Sequence, residues 1–164
     1  EFINFSAKSI FKKKTIFPIT NSSLKINKDM IFSSIKFIKR KVKNLKNKKI
    51  LILGAAYKDN VSDTRESPSI ILSKEFKKNK IKFVLHDPIT SISDNKKYGI
   101  KKQLPIFKKF DLILFCVKHN YYNKINYKKF TKKPFYFDLN CVLNKRQIKY
   151  LLKNNYKIEV LGGI

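Results

Sequence analysis

An uninterrupted apolar run, Ile50–Leu53, stops at Gly54 and sets the fold class of this 164-residue chain. A strand with apolar side chains on both faces has to be covered on both faces, as in the parallel sheet of an α/β protein. Similar stretches predict four further strands, at residues 83–86, 111–117, 135–139 and 158–161. Because helical stretches alternate with these strands, the chain predicts a parallel sheet with right-handed crossovers.

Two helices are predicted between these strands. Ser67 and Pro68 are of the residue types favoured at an N-cap and at the first helical position, and we expect their helix to reach about residue 79. The second helix is predicted over residues 143–154. Residues 90–110 fit a loop with a short helix, and residues 1–28 follow no regular pattern because Pro18 and a polar stretch interrupt it.

An apolar stripe at helical spacing precedes the first strand. Its members lie four, three, four and three positions apart: Ile31, Ile35, Ile38, Val42 and Leu45. This spacing predicts one long helix over about residues 29–47. We therefore expect residues 1–47 to form a linker region with this helix, and residues 48–164 to form a Rossmann-like α/β domain, a parallel sheet flanked by helices.

The formal net charge of +27 raises the question of nucleic-acid or membrane binding. Arginine is the better residue for bidentate phosphate contacts, but only Arg40, Arg65 and Arg146 are present among 38 basic residues. The lysines are spread along the whole chain, and Lys, Ile, Asn and Phe are abundant together, as in proteins from AT-rich genomes. We therefore expect no nucleic-acid partner. We expect no membrane partner either, since no run reaches the roughly 18 apolar residues that a membrane helix needs.

The two cysteines and the two histidines carry little chemistry in this pattern. Cys116 and Cys141 are too few for a disulfide framework, which favours a reducing cytoplasm. His86 and His119 lack the spacing of metal ligands, so no metal site is predicted. The chain begins at Glu1 and not at a methionine, which indicates a fragment or a processed protein.

The loop after the first strand is where a ligand is expected, since parallel sheets bind ligands beyond the carboxyl ends of their strands. Residues 55–66 hold an aromatic side chain, a lysine, two aspartates and an arginine, and they lead into a helix N-terminus, which favours anions. The Gly-x-Gly-x-x-Gly fingerprint is absent because Gly54 is the only glycine there. A self-contained NAD-binding fold is therefore not expected.

Residues 54–68, Gly-Ala-Ala-Tyr-Lys-Asp-Asn-Val-Ser-Asp-Thr-Arg-Glu-Ser-Pro, resemble a signature of the UDP-glucose/GDP-mannose dehydrogenase family, in its carboxy-terminal UDP-binding domain. That signature has the glycine, an aromatic-Lys pair and Asp-x-Arg-Glu-Ser-Pro at the same offsets. The resemblance extends over about residues 24–161. Its weaker supports are Ile26 to Met30, Asp87-Pro88, Asp111 to Ile113, Val117 to His119, Phe137-Asp138 and Val142-Leu143.

This resemblance implies the UDP-sugar-binding part of an NAD-dependent UDP-sugar 6-dehydrogenase, acting on UDP-glucose or a UDP-N-acetylhexosamine. The family oxidises the C6 alcohol to a carboxylate with two NAD molecules, which its N-terminal domain mainly binds. Its catalytic cysteine lies in a Gly-Gly-x-Cys type segment that this sequence lacks, so no catalytic residue is assigned. The family also implies a homodimer through the long helix, and we expect the chain alone to be inactive.

Four residues match positions of the family's site. Lys58 matches a lysine that contacts the nucleotide sugar, and Tyr57 matches the aromatic residue beside it. Asn140 stands where many members carry a substrate-contacting arginine, and Arg65 matches an arginine that reaches NAD. The alternative for Tyr57 and Lys58 is a solvated loop, and for Arg65 it is an ion pair with Asp63 or Glu66.

Other interpretations stay open at this stage. Asp87 could bind a ribose or cap a turn before Pro88. His119 lies at a strand end, where it could contact a ligand or be structural, and Tyr121 and Tyr122 could stack on a base or pack under the sheet. The alternative function is a non-catalytic basic module that binds nucleotides or nucleic acid, and a third is a degenerate fragment.

Overall fold

A computed structural model describes residues 6, 9–10 and 17–161, apart from the side chain of Lys28. Six parallel strands are found in this part of the chain, in one sheet. They are β1 (Ile50–Leu53), β2 (Phe83–His86), β3 (Ile100–Lys101), β4 (Leu112–Phe115), β5 (Phe135–Asp138) and β6 (Ile158–Val160). The predicted α/β fold with a parallel sheet is thereby confirmed.

Helices and short 3-10 turns connect the strands. The helices are α1 (Pro18–Lys41), α2 (Pro68–Lys78), α3 (Ile92–Tyr98), α4 (Asn120–Asn123) and α5 (Lys145–Lys153), and the 3-10 turns are Leu45–Asn47, Phe107–Lys109 and Tyr127–Lys129. None of the described helices is both long and apolar enough to cross a membrane. Helix α2 begins as its sequence predicts, with Ser67 as N-cap and Pro68 at the first helical position.

The order of the strands in the sheet is β3-β2-β1-β4-β5-β6, with β1 and β4 at the centre. The side chains of both central strands are buried throughout, which explains their continuous apolar runs. Leu53 pairs with His86 on one side and with Phe115 on the other. The carboxyl ends of β2, β1 and β4 are therefore level with one another.

The main apolar cluster covers one face of the sheet. It joins alternate residues of the strands to α5, since Leu51, Ile113 and Tyr136 belong to the same cluster as Ile148 and Leu151. Fully burying an aliphatic side chain contributes about 1.5–3 kcal/mol, so this cluster fixes the sheet from which the loops extend.

The prediction of a helix over residues 29–47 is wrong at both ends, because α1 is Pro18–Lys41. Pro18 does not interrupt the helix, since proline is well suited to its first turn. Beyond the helix, Asn44 takes a left-handed conformation with φ of 56° at the start of the next 3-10 turn. Leu45 is buried, but it lies in the following 3-10 turn and not in the helix.

The chain divides into two compact units, residues 1–33 and residues 34–164. Within the second unit, Phe37 makes an edge-on ring contact with Phe137 of β5 at 6.0 Å. The ammonium of Lys41 lies 2.7 Å from a carboxylate oxygen of Glu159 in β6. These contacts fix the end of α1 against the sheet, and the proposed domain boundary at residue 47 stays a prediction.

Candidate functional site

The strand order places a topological switch point between β1 and β4. After β1 the chain continues to β2 and β3 on one side, and it returns through β4 to the other side. Parallel sheets bind ligands in the crevice beyond the strand ends at such a point. The segments that line it are residues 54–67, here called the β1 loop, and residues 116–119, which follow β4.

Gly54 lets these two segments approach each other. Its φ is 97°, and a Cβ atom there would lie 2.5 Å from Cβ and 2.8 Å from the backbone nitrogen of Val117. Its N–H donates to the carbonyl of His86 at 2.8 Å. Only glycine has both the conformation and the size for this position.

A buried carboxylate, Asp87, fixes the start of the β1 loop. Its Oδ2 accepts hydrogen bonds from the backbone N–H groups of Ala55 at 2.7 Å and Ala56 at 3.1 Å. Its Oδ1 accepts from the N–H groups of Ile89 and Thr90 at 2.8 and 3.2 Å. Both oxygens are occupied and the side chain is fully buried, so Asp87 caps turns and does not bind a ribose.

The buried ring of His119 links Asp87 to the middle of the β1 loop. Its Nε2 lies 2.9 Å from Oδ2 of Asp87, and its Nδ1 lies 2.9 Å from the backbone nitrogen of Asn60. A backbone N–H always donates, so Nδ1 accepts and the ring proton lies on Nε2, donated to Asp87. Burial alone would raise the pKa of Asp87, but the bonds from His119 and from the backbone outweigh it and lower that pKa to about 2.

Two more hydrogen bonds tie the loop to the segment after β4. The carboxylate of Asp59 accepts from the N–H of Lys118 at 3.1 Å, and the side-chain oxygen of Asn60 accepts from the N–H of Asn120 at 2.9 Å. Asn60 is left-handed, with φ of 56°, which asparagine tolerates better than most residues. The β1 loop is therefore held on both sides of Lys58.

Tyr57 and Lys58 lie between these anchors with their side chains in solvent. The N–H of Tyr57 donates to the carbonyl of Asp63 at 2.6 Å, while its side chain is exposed. Lys58 is exposed as well, and its ammonium makes no hydrogen bond or ion pair with any described residue. Both side chains are available to a ligand that approaches the carboxyl edge of the sheet.

Arg65 forms the ion pair with Asp63 that the sequence left as an alternative. Its Nε lies 3.0 Å from Oδ1 and its Nη2 lies 2.8 Å from Oδ2 of Asp63. These bonds lower the pKa of Asp63 to about 2. The arginine side chain is still 88% exposed, so the pair leaves most of the guanidinium open to solvent.

Asn140 lies at the same edge, after β5. Its side-chain nitrogen donates to the carbonyl of Cys116 at 3.2 Å, although the residue is exposed. The buried carboxylate of Asp138 holds this turn by accepting from the N–H groups of Asn140, Val142 and Leu143. The described contacts do not join Asn140 directly to Tyr57 or Lys58.

His86 and Tyr122 are buried within the fold. The Nε2 of the buried His86 lies 3.2 Å from the carbonyl of Lys102, and burial lowers the pKa of this ring to about 4. Tyr122 is buried under the loops with its hydroxyl 3.1 Å from Nδ1 of His86, whereas Tyr121 is half exposed. Over the described residues, no group of three or more His, Cys, Asp or Glu side chains is placed to hold a metal.

Sequence reasoning missed the network of Asp87, His119 and Asn60. The available signal was that polar residues end two strands that flank β1, but their pairing depends on sheet order and register. Capping by Asp87 was one of two alternatives, and it is the one the structure contains.

Several solved structures share this fold. The chain aligns with an NDP-N-acetyl-D-galactosaminuronic acid dehydrogenase from Methanosarcina mazei Go1, with a TM-score of 0.73 and 17% identity, covering 99% of this chain and 36% of that one. It aligns with a UDP-glucose dehydrogenase from Pyrobaculum islandicum, with a TM-score of 0.66 and 17% identity, covering 84% and 31%. It also aligns with a UDP-D-ManNAc dehydrogenase from Pyrococcus horikoshii, with a TM-score of 0.65 and 18% identity, covering 95% and 35%.

The chain thus spans about a third of the length of these solved structures, and at this identity the likeness concerns the fold. No curated protein sequence matches it. Residues 51–145 match the family described as the UDP-glucose/GDP-mannose dehydrogenase family, UDP binding domain. That match covers more than half of the chain and includes the β1 loop, Asp87, His119 and Asn140, so the chain belongs to the UDP-glucose/GDP-mannose dehydrogenase family.

Proposed function

We propose that this chain is the UDP-sugar-binding part of an NAD-dependent UDP-sugar 6-dehydrogenase, and that Tyr57, Lys58 and Asn140 contact the nucleotide sugar. One observation carries the proposal: an exposed lysine, whose ammonium has no partner among the described residues, stands on an anchored loop at the switch point of the sheet. An ammonium suits a diphosphate or a product carboxylate as a point charge.

The neighbouring groups suit the rest of such a ligand. The exposed ring of Tyr57 offers an apolar face and a hydroxyl, and Asn140 offers an amide whose oxygen has no partner in the described structure. An amide hydrogen-bonds a hydroxyl or a phosphate more weakly than an arginine would. We therefore expect Lys58 to contribute more to binding than Asn140 does.

The β1 loop does not fit NAD in the usual Rossmann manner. Asp87 already occupies the N–H groups of Ala55 and Ala56, where a dinucleotide would place its pyrophosphate. We propose that NAD is bound mainly by a second domain of the enzyme, and that Arg65 contacts it from this chain. The exposed guanidinium of Arg65 supports that role.

We propose that the chain alone oxidises no UDP-sugar, because it offers no suitable nucleophile. Nucleophilic cysteines react as thiolates, and burial raises the pKa of Cys116 to about 12. Cys141 is exposed, but it does not stand in a Gly-Gly-x-Cys type segment like that of the family's nucleophile. NADH production by the purified chain with UDP-glucose or a UDP-N-acetylhexosamine would contradict this proposal.

Self-association through α1 and a cytoplasmic location are part of the same proposal. The described part of α1 carries exposed apolar side chains seven and then four positions apart, which form one stripe: Ile19, Ile26 and Met30. A homodimer would bury this stripe. Sedimentation of the chain as a monomer at micromolar concentration would contradict the dimer.

The second candidate, a non-catalytic basic module for nucleotides or nucleic acid, is supported by the net charge of +27. The two functions differ in their response to salt, because phosphate-backbone binding falls steeply with salt and ignores the sugar. Titration calorimetry of the chain with UDP, UDP-glucose and a single-stranded oligonucleotide separates the two functions when it is carried out at about 50 mM and at about 300 mM salt. Saturable UDP binding that survives the higher salt supports the dehydrogenase part.

A further inference from the structure

Lys58 lies between two short segments that are hydrogen-bonded to the ends of neighbouring strands or to the loops after them. On one side, the N–H groups of Ala55 and Ala56 are bound to Asp87. On the other, Asp59 and Asn60 are bound to the segment after β4. Only Tyr57 and Lys58 lie between these fixed points, so the anchors determine where the lysine stands.

Both anchors include hydrogen bonds of one chain that runs through Asp87 and His119, here called the relay. Oδ2 of Asp87 accepts the N–H groups at the start of the loop and also the Nε2 proton of His119. The other nitrogen of the same ring accepts the N–H of Asn60. A single buried imidazole therefore transmits the position of Asp87, after β2, to the far side of Lys58.

We propose that Asp87 and His119 are positioning residues, which hold the β1 loop so that Lys58 faces the diphosphate of the nucleotide sugar. This inference rests on the proposed function, because the relay positions Lys58 for a ligand only if Lys58 binds the nucleotide sugar. Neither residue touches the ligand, because both are fully buried. Their effect passes through the backbone at Ala55, Ala56 and Asn60.

The relay requires a ring that donates at one nitrogen and accepts at the other. Two donors would face each other if Nδ1 carried the proton, so the N–H of Asn60 needs the bare Nδ1 as its acceptor. The groups around the ring are His86 at the end of β2, Asp87 just after it, and Tyr122 from α4, whose ring centroid lies 5.8 Å away. Of these, the Asp87 carboxylate is the one that fixes the tautomer.

Two substitutions separate the halves of the relay. In His119→Gln, the amide reaches the place of Nε2 and donates to Asp87, but nothing accepts the N–H of Asn60. In His119→Asn, the amide oxygen takes the place of Nδ1 and accepts from Asn60, but the bond to Asp87 is lost. The first variant should loosen the loop backbone at Asn60 at little cost in stability, while the bonds at Asp59 and at the Asn60 side chain remain. The second should keep the Asn60 bond and lose stability.

The test measures the dissociation constant for UDP, the hydrogen-exchange rate of the Asn60 amide and the urea midpoint of the 164-residue chain. For His119→Gln we expect UDP binding about five- to tenfold weaker and exchange at Asn60 at least about tenfold faster. For His119→Asn we expect UDP binding within about twofold of the unmodified chain, protected exchange and a lower urea midpoint. If the loss of UDP affinity were instead proportional to the drop in urea midpoint in both variants, His119 would have only a structural role and the proposal would be overturned.

A double-mutant cycle with Lys58→Ala tests whether His119 acts through the lysine. If it does, His119→Gln in the Lys58→Ala background should change UDP binding by less than about twofold. Additive effects would overturn the positioning role.

The proposed function fails separately, if Lys58→Ala leaves UDP binding unchanged or if the unmodified chain binds no UDP. The exchange measurement at Asn60 needs no ligand, and unchanged exchange in His119→Gln would overturn the positioning role alone.

Discussion

A Cβ atom added to Gly54 would lie 2.5 Å from the Cβ atom of Val117. Gly54 directly follows β1 and Val117 lies just after β4, so the segments that leave the two central strands are in direct contact. The glycine N–H is also bound to the carbonyl of His86. Gly54 therefore connects the carboxyl ends of β2, β1 and β4, and the β1 loop and its anchors extend from these strand ends.

Gly54→Ala should therefore destabilise the chain strongly. The added methyl group meets both the side chain and the backbone of Val117, and the backbone φ of 97° disfavours any side chain. We expect a loss of about 3 kcal/mol or more in the free energy of unfolding, measured by urea denaturation. The matched control is Gly99→Ala, since Gly99 has a φ of 68° with nothing within 4 Å, and it should cost only about 1 kcal/mol. Similar losses in the two variants would show that the contact with Val117 is unimportant.

His86 should make the stability of the chain depend on pH between about 6.5 and 4. Burial lowers the pKa of its ring from 6.5 to about 4, so the unfolded chain takes up this proton first as the pH falls. Stability from this group is complete above pH 6.5 and is lost as the pH falls through the folded pKa. His86→Gln should make the slope of unfolding free energy against pH shallower by up to about 1.4 kcal/mol per pH unit in that window. Parallel slopes in urea denaturation of the two proteins would contradict the burial of a neutral ring.

Much of the fold was predictable because its signals are local. The short apolar runs Ile50–Leu53 and Leu112–Phe115 favoured buried strands, and Ser67 with Pro68 marked the start of α2 within one residue. Strand β3, Ile100–Lys101, was not predicted, since two residues at a sheet edge show no alternation. The start of α1 was missed because a proline can either begin a helix or interrupt one, and the sequence around Pro18 does not distinguish the two.

Sequence motifs predicted only part of the candidate site. A sequence signature assigned Tyr57 and Lys58 to the candidate site, and that assignment stays a prediction, whereas the relay that anchors their loop was not predicted. Asp87 and His119 are 32 positions apart, and they meet because β1 pairs with both β2 and β4 in a common register. Local patterns contain no information on that register, so only the folded sheet reveals the pair.

Lys58→Ala should weaken binding of UDP by about ten- to a hundredfold, since a charge-assisted contact contributes about 1.5–3 kcal/mol. The free energy of unfolding should be unchanged, because the ammonium has no described partner to lose. Lys82→Ala is the matched control, as Lys82 is an exposed lysine just before β2, at the opposite edge of the sheet. Equal weakening in both variants at the same ionic strength would indicate a general effect of charge and would argue against a site at Lys58.

In the NAD-dependent dehydrogenase of which we propose this chain to be a part, Arg65→Ala should act mainly on NAD. The guanidinium is fixed by Asp63 on one side and is 88% exposed on the other, so it can meet a cofactor held by another domain. We expect the KM for NAD to rise about tenfold, with a much smaller change in the KM for the UDP-sugar, when each is varied separately.

Two controls make this prediction specific to the position of Arg65. Arg146→Ala removes an exposed arginine from α5 and should leave both KM values unchanged, so it reports the effect of charge alone. Asp63→Asn removes the charge that holds the guanidinium but keeps Arg65, and it should raise the KM for NAD less than Arg65→Ala does. If Arg65→Ala instead raises both KM values equally, or lowers the urea midpoint as much as Asp63→Asn does, the ion pair serves the loop and not the cofactor.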